Sequence, residues 1–135
     1  MDCSVIYYAA RKTSFCEKTL RRCLSPLHLR ISSACFTNSA RELGDRLIEA
    51  FGSCGVCAVV GGTDFSDGRS VVRIISNAAA RSKPELLRRL PNPEGDDGFV
   101  LRAGGQLLVL LPDDPAQLEE MLRGKLSDFI KNSIQ

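Results

Sequence analysis

Short apolar runs alternate along this chain with segments in which apolar residues recur every three or four positions. The first pattern is typical of strands, and the second is typical of helices with one face on a core. The predicted strands are Cys3–Ala9, Leu27–Phe36, Val56–Val60, Phe99–Leu101 and Leu107–Leu111. The predicted helices are Ser14–Leu24, Ala40–Phe51 and a final helix from Pro115 to Ile130.

Three smaller assignments depend on local signals. Ser70–Ala80 contains β-branched residues that favour a strand, but its apolar residues also fit a helical stripe, and we favour a helix. A proline at the first helical position predicts a short helical turn over Pro84–Leu90. His28 is expected to be a half-buried residue of the second strand.

The order of these elements predicts one domain over residues 1–135. The continuous apolar run Val56–Val60 indicates a strand that is buried on both faces of a parallel sheet. Two apolar runs around a glycine-containing turn at residues 102–106 predict a hairpin. The predicted fold is a three-layer α/β architecture, a mostly parallel sheet covered by helices, with a β-hairpin near the C-terminus.

Composition narrows the class of protein and of partner. The chain has 135 residues, of which 44% are hydrophobic and 25% are charged, and this balance excludes intrinsic disorder. No apolar run reaches the ~20 residues that a membrane-spanning helix needs. The first apolar stretch has no basic region before it, so it does not have the pattern of a secretory signal peptide. A net charge of +2 is too small to indicate a nucleic-acid partner. We therefore expect a cytoplasmic protein with no membrane or nucleic-acid partner.

Six cysteines raise the question of a metal or redox site. Cys54 and Cys57 have the spacing that brings two thiolates to one metal or forms a redox pair. However, the chain has no second pair of this kind, its only histidine is His28, and Cys57 begins an apolar run. We favour reduced thiols packed in a core over a metal or redox site.

Open parallel sheets bind ligands at the carboxyl ends of their strands, and the most informative loop there is Gly61–Ser70. Paired glycines let the backbone approach a ligand and offer N–H groups to an anion. Ser70 opens a predicted helix whose N-terminus attracts phosphate. The alternative is an ordinary polar loop in which the glycines serve the turn. The candidate ligand-binding residues are Gly61, Gly62, Thr63, Asp64, Ser66 and Ser70.

Two further loops are candidates. Residues 37–39 follow the second strand and hold the expected cap of the second helix, Asn38 or Ser39. Residues 112–115, Pro-Asp-Asp-Pro, follow the last strand. Their carboxylates suit a metal or a hydroxyl-rich ligand, but Asp followed by Pro is also how helices commonly begin. Pro112, Asp113 and Asp114 are therefore candidate ligand-binding residues, and either aspartate is the alternative cap of the last helix.

Three motifs occur in order along the chain. An apolar strand runs into Gly61-Gly62-Thr63-Asp64, then Asn92-Pro93-Glu94-Gly95 precedes the hairpin, and Leu111-Pro112-Asp113-Asp114-Pro115 precedes the last helix. They resemble the Gly-Gly-Thr-Gly, Asn-Pro-x-Gly and Leu-Pro-Gly-x-Pro motifs of the molybdopterin-binding domain family, the fold shared by MogA/MoaB-type, MoeA/gephyrin-type and CinA-type proteins. The resemblance covers about residues 3–130.

The resemblance implies binding of molybdopterin or a related phosphorylated nucleotide, in molybdenum cofactor biosynthesis. Active members use ATP with Mg²⁺. The family's acidic residue falls at Arg69 without a gap or at Asp67 with a shift, and the resemblance therefore implies Asp67 as the catalytic residue that holds the metal, with Asp113 or Asp114 assisting. The family also implies a homo-oligomer, a trimer or a dimer. Asp64 and Asp113 stand where the family has glycine and add negative charge at the ligand end. The alternative is therefore a catalytically inactive structural or regulatory module with the same fold, and whether the chain is an enzyme stays open.

Overall fold

Six strands of the described chain form one sheet, and helices lie against both of its faces. The structure, a computed structural model, describes residues 2–53, 55–62, 86–95, 97–103, 106–124, 126–128 and 130. The strands are β1 (Asp2–Tyr8), β2 (Arg30–Thr37), β3 (Val56–Val60), β4 (Leu86–Leu90), β5 (Gly98–Ala103) and β6 (Gln106–Leu111). The helices are α1 (Thr13–Leu24), α2 (Ala40–Ser53) and α3 (Pro115–Arg123).

The sheet is mixed but mostly parallel, with the strand order β2-β1-β3-β6-β5-β4. β1 pairs in parallel with β2 and β3, and β3 pairs in parallel with β6. β5 pairs antiparallel with both β4 and β6, so β5 and β6 form the hairpin that the sequence predicts. The predicted mostly parallel α/β fold, with its hairpin near the C-terminus, is confirmed.

The two faces of the sheet carry separate apolar clusters, because consecutive strand residues point to opposite sides. On one face, Leu20 of α1 and Leu118 of α3 pack with Val5 of β1. On the other face, Leu43 of α2 packs with Ile6 of β1. All five residues of β3 are buried, as its continuous apolar run predicts. The sheet therefore lies between two layers of helices.

The predicted helical turn over Pro84–Leu90 is wrong in its described part. Residues 86–90 form strand β4, which pairs antiparallel with β5 so that Leu90 lies opposite Gly98. Strand formation depends on packing and pairing with a neighbour, which local preference does not record. Pro84 itself and the predicted helix Ser70–Ala80 lie outside the described residues.

The second predicted strand begins three residues too early. After α1, residues 25–27 form a 3₁₀ turn, and β2 starts only at Arg30. His28 adopts a left-handed conformation with φ 61° and is exposed, so it is not the half-buried strand residue that we expect. Its N–H donates to Ser25 O (3.0 Å), and the N–H of Leu29 donates to Leu24 O (3.2 Å). These are the paired bonds of a Schellman motif, a helix ending that alternating hydrophobicity does not distinguish from a strand.

The last predicted helix is interrupted. α3 ends at Arg123, because Gly124 departs from helical geometry with ψ −135°, and residues 126–128 are helical again. Leu126 and Ile130 are nevertheless buried in the same cluster as Leu118, so the predicted apolar stripe is retained across the break. Within the described ranges, no helix is both long enough and apolar enough to cross a membrane.

Candidate functional site

The loops that follow the parallel strands meet at the carboxyl edge of the sheet. Residues 9–12 follow β1, residues 38–39 follow β2, residues 61–62 follow β3, and residues 112–114 follow β6. The loop after β1 leads to α1 on one face of the sheet, and the loop after β2 leads to α2 on the other face. Neighbouring loops that depart to opposite faces leave a crevice between them, which is where α/β sheets bind their ligands.

An open cleft of about 690 Å³ lies at the ends of β1 and β2. Its volume is within the range of small-molecule sites, about 300–1,000 Å³. The described residues that line it are Tyr7, Ala10, Thr13, Phe36, Thr37, Asn38, Ser39 and Glu42. The lining is therefore aromatic where it is formed by the strands and mostly polar where α1 and α2 begin.

Two stacked aromatic rings form the strand side of the cleft. Tyr7 and Phe36 lie opposite each other in the parallel pairing of β1 and β2. Their ring centroids are 4.9 Å apart and their planes differ by 15°. Tyr7 is buried, whereas Phe36 is 64% exposed. The Tyr7 hydroxyl has no hydrogen-bond partner among the described residues. Burial, followed by the nearby Glu17 carboxylate, raises its pKa. The phenol is therefore neutral at physiological pH.

The start of α2 forms the polar side of the cleft. Ser39 is the N-cap, because its hydroxyl accepts from the Glu42 N–H (3.3 Å). The Thr37 hydroxyl oxygen in turn accepts from the Ser39 N–H (3.1 Å). Of the two predicted caps, Ser39 is thus the one observed. Asn38 is exposed at the cleft, and its side-chain amide has no partner within the described chain, so it offers both a donor and an acceptor.

The loop between β1 and α1 is held in an uncommon backbone conformation. Ala9 and Lys12 have φ values of 47° and 54°, in the left-handed region that non-glycine residues seldom adopt. The N–H of Ala9 donates to Thr37 O (2.8 Å), which ties the loop to β2. The backbone N–H and the Nε of Arg11 donate to Asp113 Oδ2 (2.8 and 3.2 Å), which ties it to the loop after β6. The loop is therefore fixed on both sides.

Gly61 and Gly62 turn the chain at the end of β3. Their φ values are 100° and 72°, and both are buried. A Cβ at Gly61 would overlap the carbonyl oxygen of Tyr8, and a Cβ at Gly62 would overlap the ring of Tyr8. The Gly61 N–H donates to Leu111 O (2.9 Å). Within the described residues, these glycines therefore allow the backbone after β3 to lie close against Tyr8 of β1.

The two aspartates after β6 have structural partners. Asp114 is the N-cap of α3, since its Oδ1 accepts from the N–H groups of Ala116 (3.0 Å) and Gln117 (3.1 Å). Asp113 accepts from Arg11, and its backbone carbonyl accepts from the Cys16 thiol (3.3 Å). These contacts agree with the interpretation that residues 112–115 begin the last helix. Neither aspartate lines the cleft.

Comparisons with known proteins identify the fold. No protein-family model and no curated protein sequence matches the chain. Among solved structures, a Mog protein of molybdopterin biosynthesis from Mycobacterium ulcerans superposes with a TM-score of 0.71 at 15% identity, covering 98% of each chain. CinA from Thermoplasma acidophilum, a protein of unknown function, gives a TM-score of 0.70 at 18% identity, covering 94% of this chain and 96% of that one. The molybdopterin biosynthesis enzyme MoaB from Thermus thermophilus gives 0.64 at 14%, covering 97% and 96%. The chain has the Mog/MoaB/CinA fold.

Within the Mog/MoaB/CinA fold, the predicted site residues divide into two groups. Five of them lie at the carboxyl edge, in the loops that follow β3 and β6, and do not line the cleft: Gly61, Gly62, Pro112, Asp113 and Asp114. Thr63, Asp64, Ser66, Asp67 and Ser70 lie outside the described residues. Of the three predicted loops, residues 37–39 are the one that lines the cleft.

The described side chains do not form a metal site. No group of three His, Cys, Asp or Glu side chains is placed to hold a metal ion in the described part of the chain. The carboxylates of Asp113 and Asp114 are occupied by Arg11 and by the α3 N-terminus. Cys57 is buried within β3, and Cys54 is not described.

Sequence reasoning missed the cleft residues on the strands and helices. Tyr7 and Phe36 have the pattern of ordinary strand residues, and Glu42 has that of an ordinary helix residue. Thr13 precedes the predicted first helix, which begins at Ser14. The available signal was an aromatic residue near the carboxyl end of each of two predicted parallel strands. That signal indicates a stacked pair only when β1 and β2 are known to be neighbours in the sheet.

Proposed function

We propose that this chain binds molybdopterin or a related phosphorylated nucleotide at the carboxyl edge of its sheet, in molybdenum cofactor biosynthesis. The observation that carries the proposal is the 690 Å³ cleft with a stacked aromatic pair on one side and a helix start on the other. Its place at the ends of β1 and β2, one strand away from the Gly61–Gly62 turn, supports it. The fold shared with Mog and MoaB proteins of molybdopterin biosynthesis points to the same ligand class.

The phosphate end of the ligand would bind at the loop after β3. The N–H of Gly61 is bonded to Leu111 O, so the role of Gly61 is to turn the chain. The proposed donors are the backbone N–H groups of Gly62 and Asp64 and the hydroxyls of Thr63, Ser66 and Ser70. If the chain uses ATP with Mg²⁺, the metal requires carboxylate oxygens, and Asp67 is the proposed catalytic residue that holds it. Asp113 would act by holding Arg11 at the edge of the site, where a cation favours a phosphate.

Calorimetry with molybdopterin, AMP, ATP–Mg²⁺ and ADP-ribose tests the proposal. We expect binding of at least one of these ligands, and no heat with any of them at millimolar concentration would refute it. Asn38→Ala should weaken binding by about 2- to 12-fold, because it removes one hydrogen-bonding group from the cleft. Asp45→Ala, an exposed change on α2 away from the cleft, should leave affinity unchanged.

A second candidate is a non-enzymatic module that uses the fold for assembly or regulation. It is favoured by one observation: Asp113, which stands where the resembling family has glycine, is engaged in an ion pair, and its neighbour Asp114 is engaged in a helix cap. A dimer or trimer in analytical ultracentrifugation, combined with no ligand binding, would support this candidate. A homo-oligomer that also binds ligand would support the first proposal.

We place the protein in the cytoplasm. Cys16, Cys23 and Cys35 are free thiols. Reduced thiols at several positions suit a reducing compartment. Fractionation of cells with an antibody against the chain would test this location, and recovery in a membrane or secreted fraction would contradict it.

A further inference from the structure

The exposed ring of Phe36 is fixed in place at the mouth of the cleft. One of its faces stacks on the buried ring of Tyr7, with centroids 4.9 Å apart. The residue is nevertheless 64% exposed, so most of its remaining surface is open. Single exposed apolar residues are common on protein surfaces and need no explanation by themselves. What separates Phe36 from those is that it lines a cleft and rests on a second ring that is itself immobilised in the core.

Phe15 provides the internal comparison. It is 63% exposed, almost the same fraction as Phe36. It lies in the first turn of α1, does not line the cleft, and is not among the stacked rings of the described chain. The two residues therefore have the same chemistry and exposure but different surroundings.

A ring held by stacking is preorganised to accept another flat ring. Aromatic rings stack in offset arrangements with centroids about 4.5–7 Å apart, so a third ring can continue the Tyr7–Phe36 stack. Since Phe36 is already fixed, little conformational freedom is lost when the ligand binds. Asn38 beside it offers a donor and an acceptor, which suits the polar edge of a nitrogen heterocycle.

We propose that Phe36 is the stacking platform for the flat heterocycle of the ligand. This inference rests on the proposed function and specifies which end of the ligand the cleft takes. The platform discriminates ring-bearing phosphates from sugar phosphates of similar charge.

The first test uses fluorescence, because the chain contains no tryptophan. In Phe36→Trp, the single indole replaces the platform ring and should be quenched by AMP with a saturable dose dependence. Ribose 5-phosphate, which lacks the ring, should leave its emission unchanged. Phe15→Trp is the matched control and should respond to neither compound. Equal quenching of the two variants would overturn the platform.

The second test uses calorimetry and a variant that keeps the apolar volume. Phe36→Leu should weaken the binding of AMP or molybdopterin by about 5- to 100-fold, the range found for removal of a base-stacking ring. The affinity for ribose 5-phosphate should not change, and Phe15→Leu should bind all ligands as the unchanged protein does. Circular dichroism verifies that each variant is folded.

The outcomes separate this inference from the proposed function. If the unchanged protein binds AMP or molybdopterin and Phe36→Leu binds it equally well, the platform is wrong while the proposed function stands. If the unchanged protein binds ribose 5-phosphate as tightly as AMP, the ring has no role and the platform is again wrong. If it binds neither AMP nor molybdopterin nor the other ligands, the proposed function and the platform fail together.

Discussion

At the scale of single residues, the backbone conformation of Gly62 and the packing of Tyr8 against it leave no room for a side chain. Its φ of 72° costs about 1–2 kcal/mol for a residue with a side chain, and a Cβ there would overlap the ring of Tyr8. We expect Gly62→Ala to lower the free energy of unfolding by about 2–4 kcal/mol, because overpacking adds to the conformational cost. Urea denaturation followed by circular dichroism measures this change.

Gly44→Ala is the matched control for that prediction. Gly44 lies inside α2, and a Cβ at this position would meet no atom within 4 Å. Alanine is a better helix former than glycine, so this variant should be more stable by about 1 kcal/mol. If both variants gained stability, Tyr8 would not be packed against Gly62 as described. A loss confined to Gly62→Ala would also caution against using this glycine as a probe of ligand binding.

Cys16 predicts how stability depends on alkaline pH. Its thiol is fully buried, and burial, followed by the charges of Asp113 and Asp114, raises its pKa from about 9 to about 11. Above pH 9 the unfolded chain loses this proton while the folded protein keeps it, so stability falls with rising pH until the folded thiol also ionises near pH 11. The total loss is about 2–3 kcal/mol.

The measurement compares the unfolding free energy of the unchanged protein and of Cys16→Ala at several pH values between 8 and 12. Cys16→Ala has a lower free energy of unfolding at every pH because it leaves a cavity. Between pH 8 and 12, however, its free energy of unfolding should fall by about 2–3 kcal/mol less than that of the unchanged protein. Groups that do not interact with Cys16 cancel in the difference. Tyr7→Phe in both proteins removes the phenol whose pKa the charge of Cys16 helps to raise. Parallel curves would mean that the thiol of Cys16 ionises as easily in the folded state as in the unfolded chain.

At the scale of elements, α3 depends on its N-cap. Asp114 Oδ1 accepts from two backbone N–H groups of the first turn that otherwise have no helical partner. We expect Asp114→Ala to lower the free energy of unfolding by about 1 kcal/mol and Asp114→Ser to restore most of it. Glu120→Ala removes the same charge from an exposed position on the same helix and should have little effect. Equal losses in the two alanine variants would assign the effect to charge and not to capping.

Elements are also where the sequence was most informative. Local signals predicted both caps to within two neighbouring residues, the buried strand Val56–Val60 and the hairpin, because each depends on residues close together in the chain. Strand β4 was missed because its pairing with β5 is a tertiary contact. The turn at His28 was missed because a Schellman ending places buried residues on both sides of an exposed one, as a strand does.

The candidate site was less predictable than the fold for a related reason. The loops at residues 37–39, 61–70 and 112–115 could be located from sequence, since each follows a predicted strand. Which loops are neighbours depends on strand order, and the order β2-β1-β3-β6 decides that Phe36 stacks on Tyr7 and that Arg11 reaches Asp113. The cleft is thus a property of the assembled sheet, although Tyr7, Phe36 and Glu42 belong to predicted elements and residues 37–39 to a predicted loop.

At the scale of the whole molecule, the sheet edge joins segments that are distant in the chain. Ala9 is bonded to Thr37, Arg11 to Asp113, and Gly61 to Leu111. A ligand that extends from the end of β2 to the end of β3 contacts loops that are brought together only in the folded state. Such a ligand has no equivalent site in the unfolded chain, so its binding must stabilise the entire fold.

This coupling gives a prediction for thermal unfolding. AMP at 100 times its calorimetric Kd should add about 2.7 kcal/mol to the free energy of unfolding, which for a domain of this size raises Tm by about 10 °C. At the same AMP concentration, Phe36→Leu should show a smaller rise because its Kd is larger, whereas Phe15→Leu should show the full rise. Differential scanning calorimetry provides the measurement. If AMP bound with the expected affinity but left Tm unchanged, the unfolded chain would bind it as well as the folded one does, and a site built from three separate loops would be contradicted.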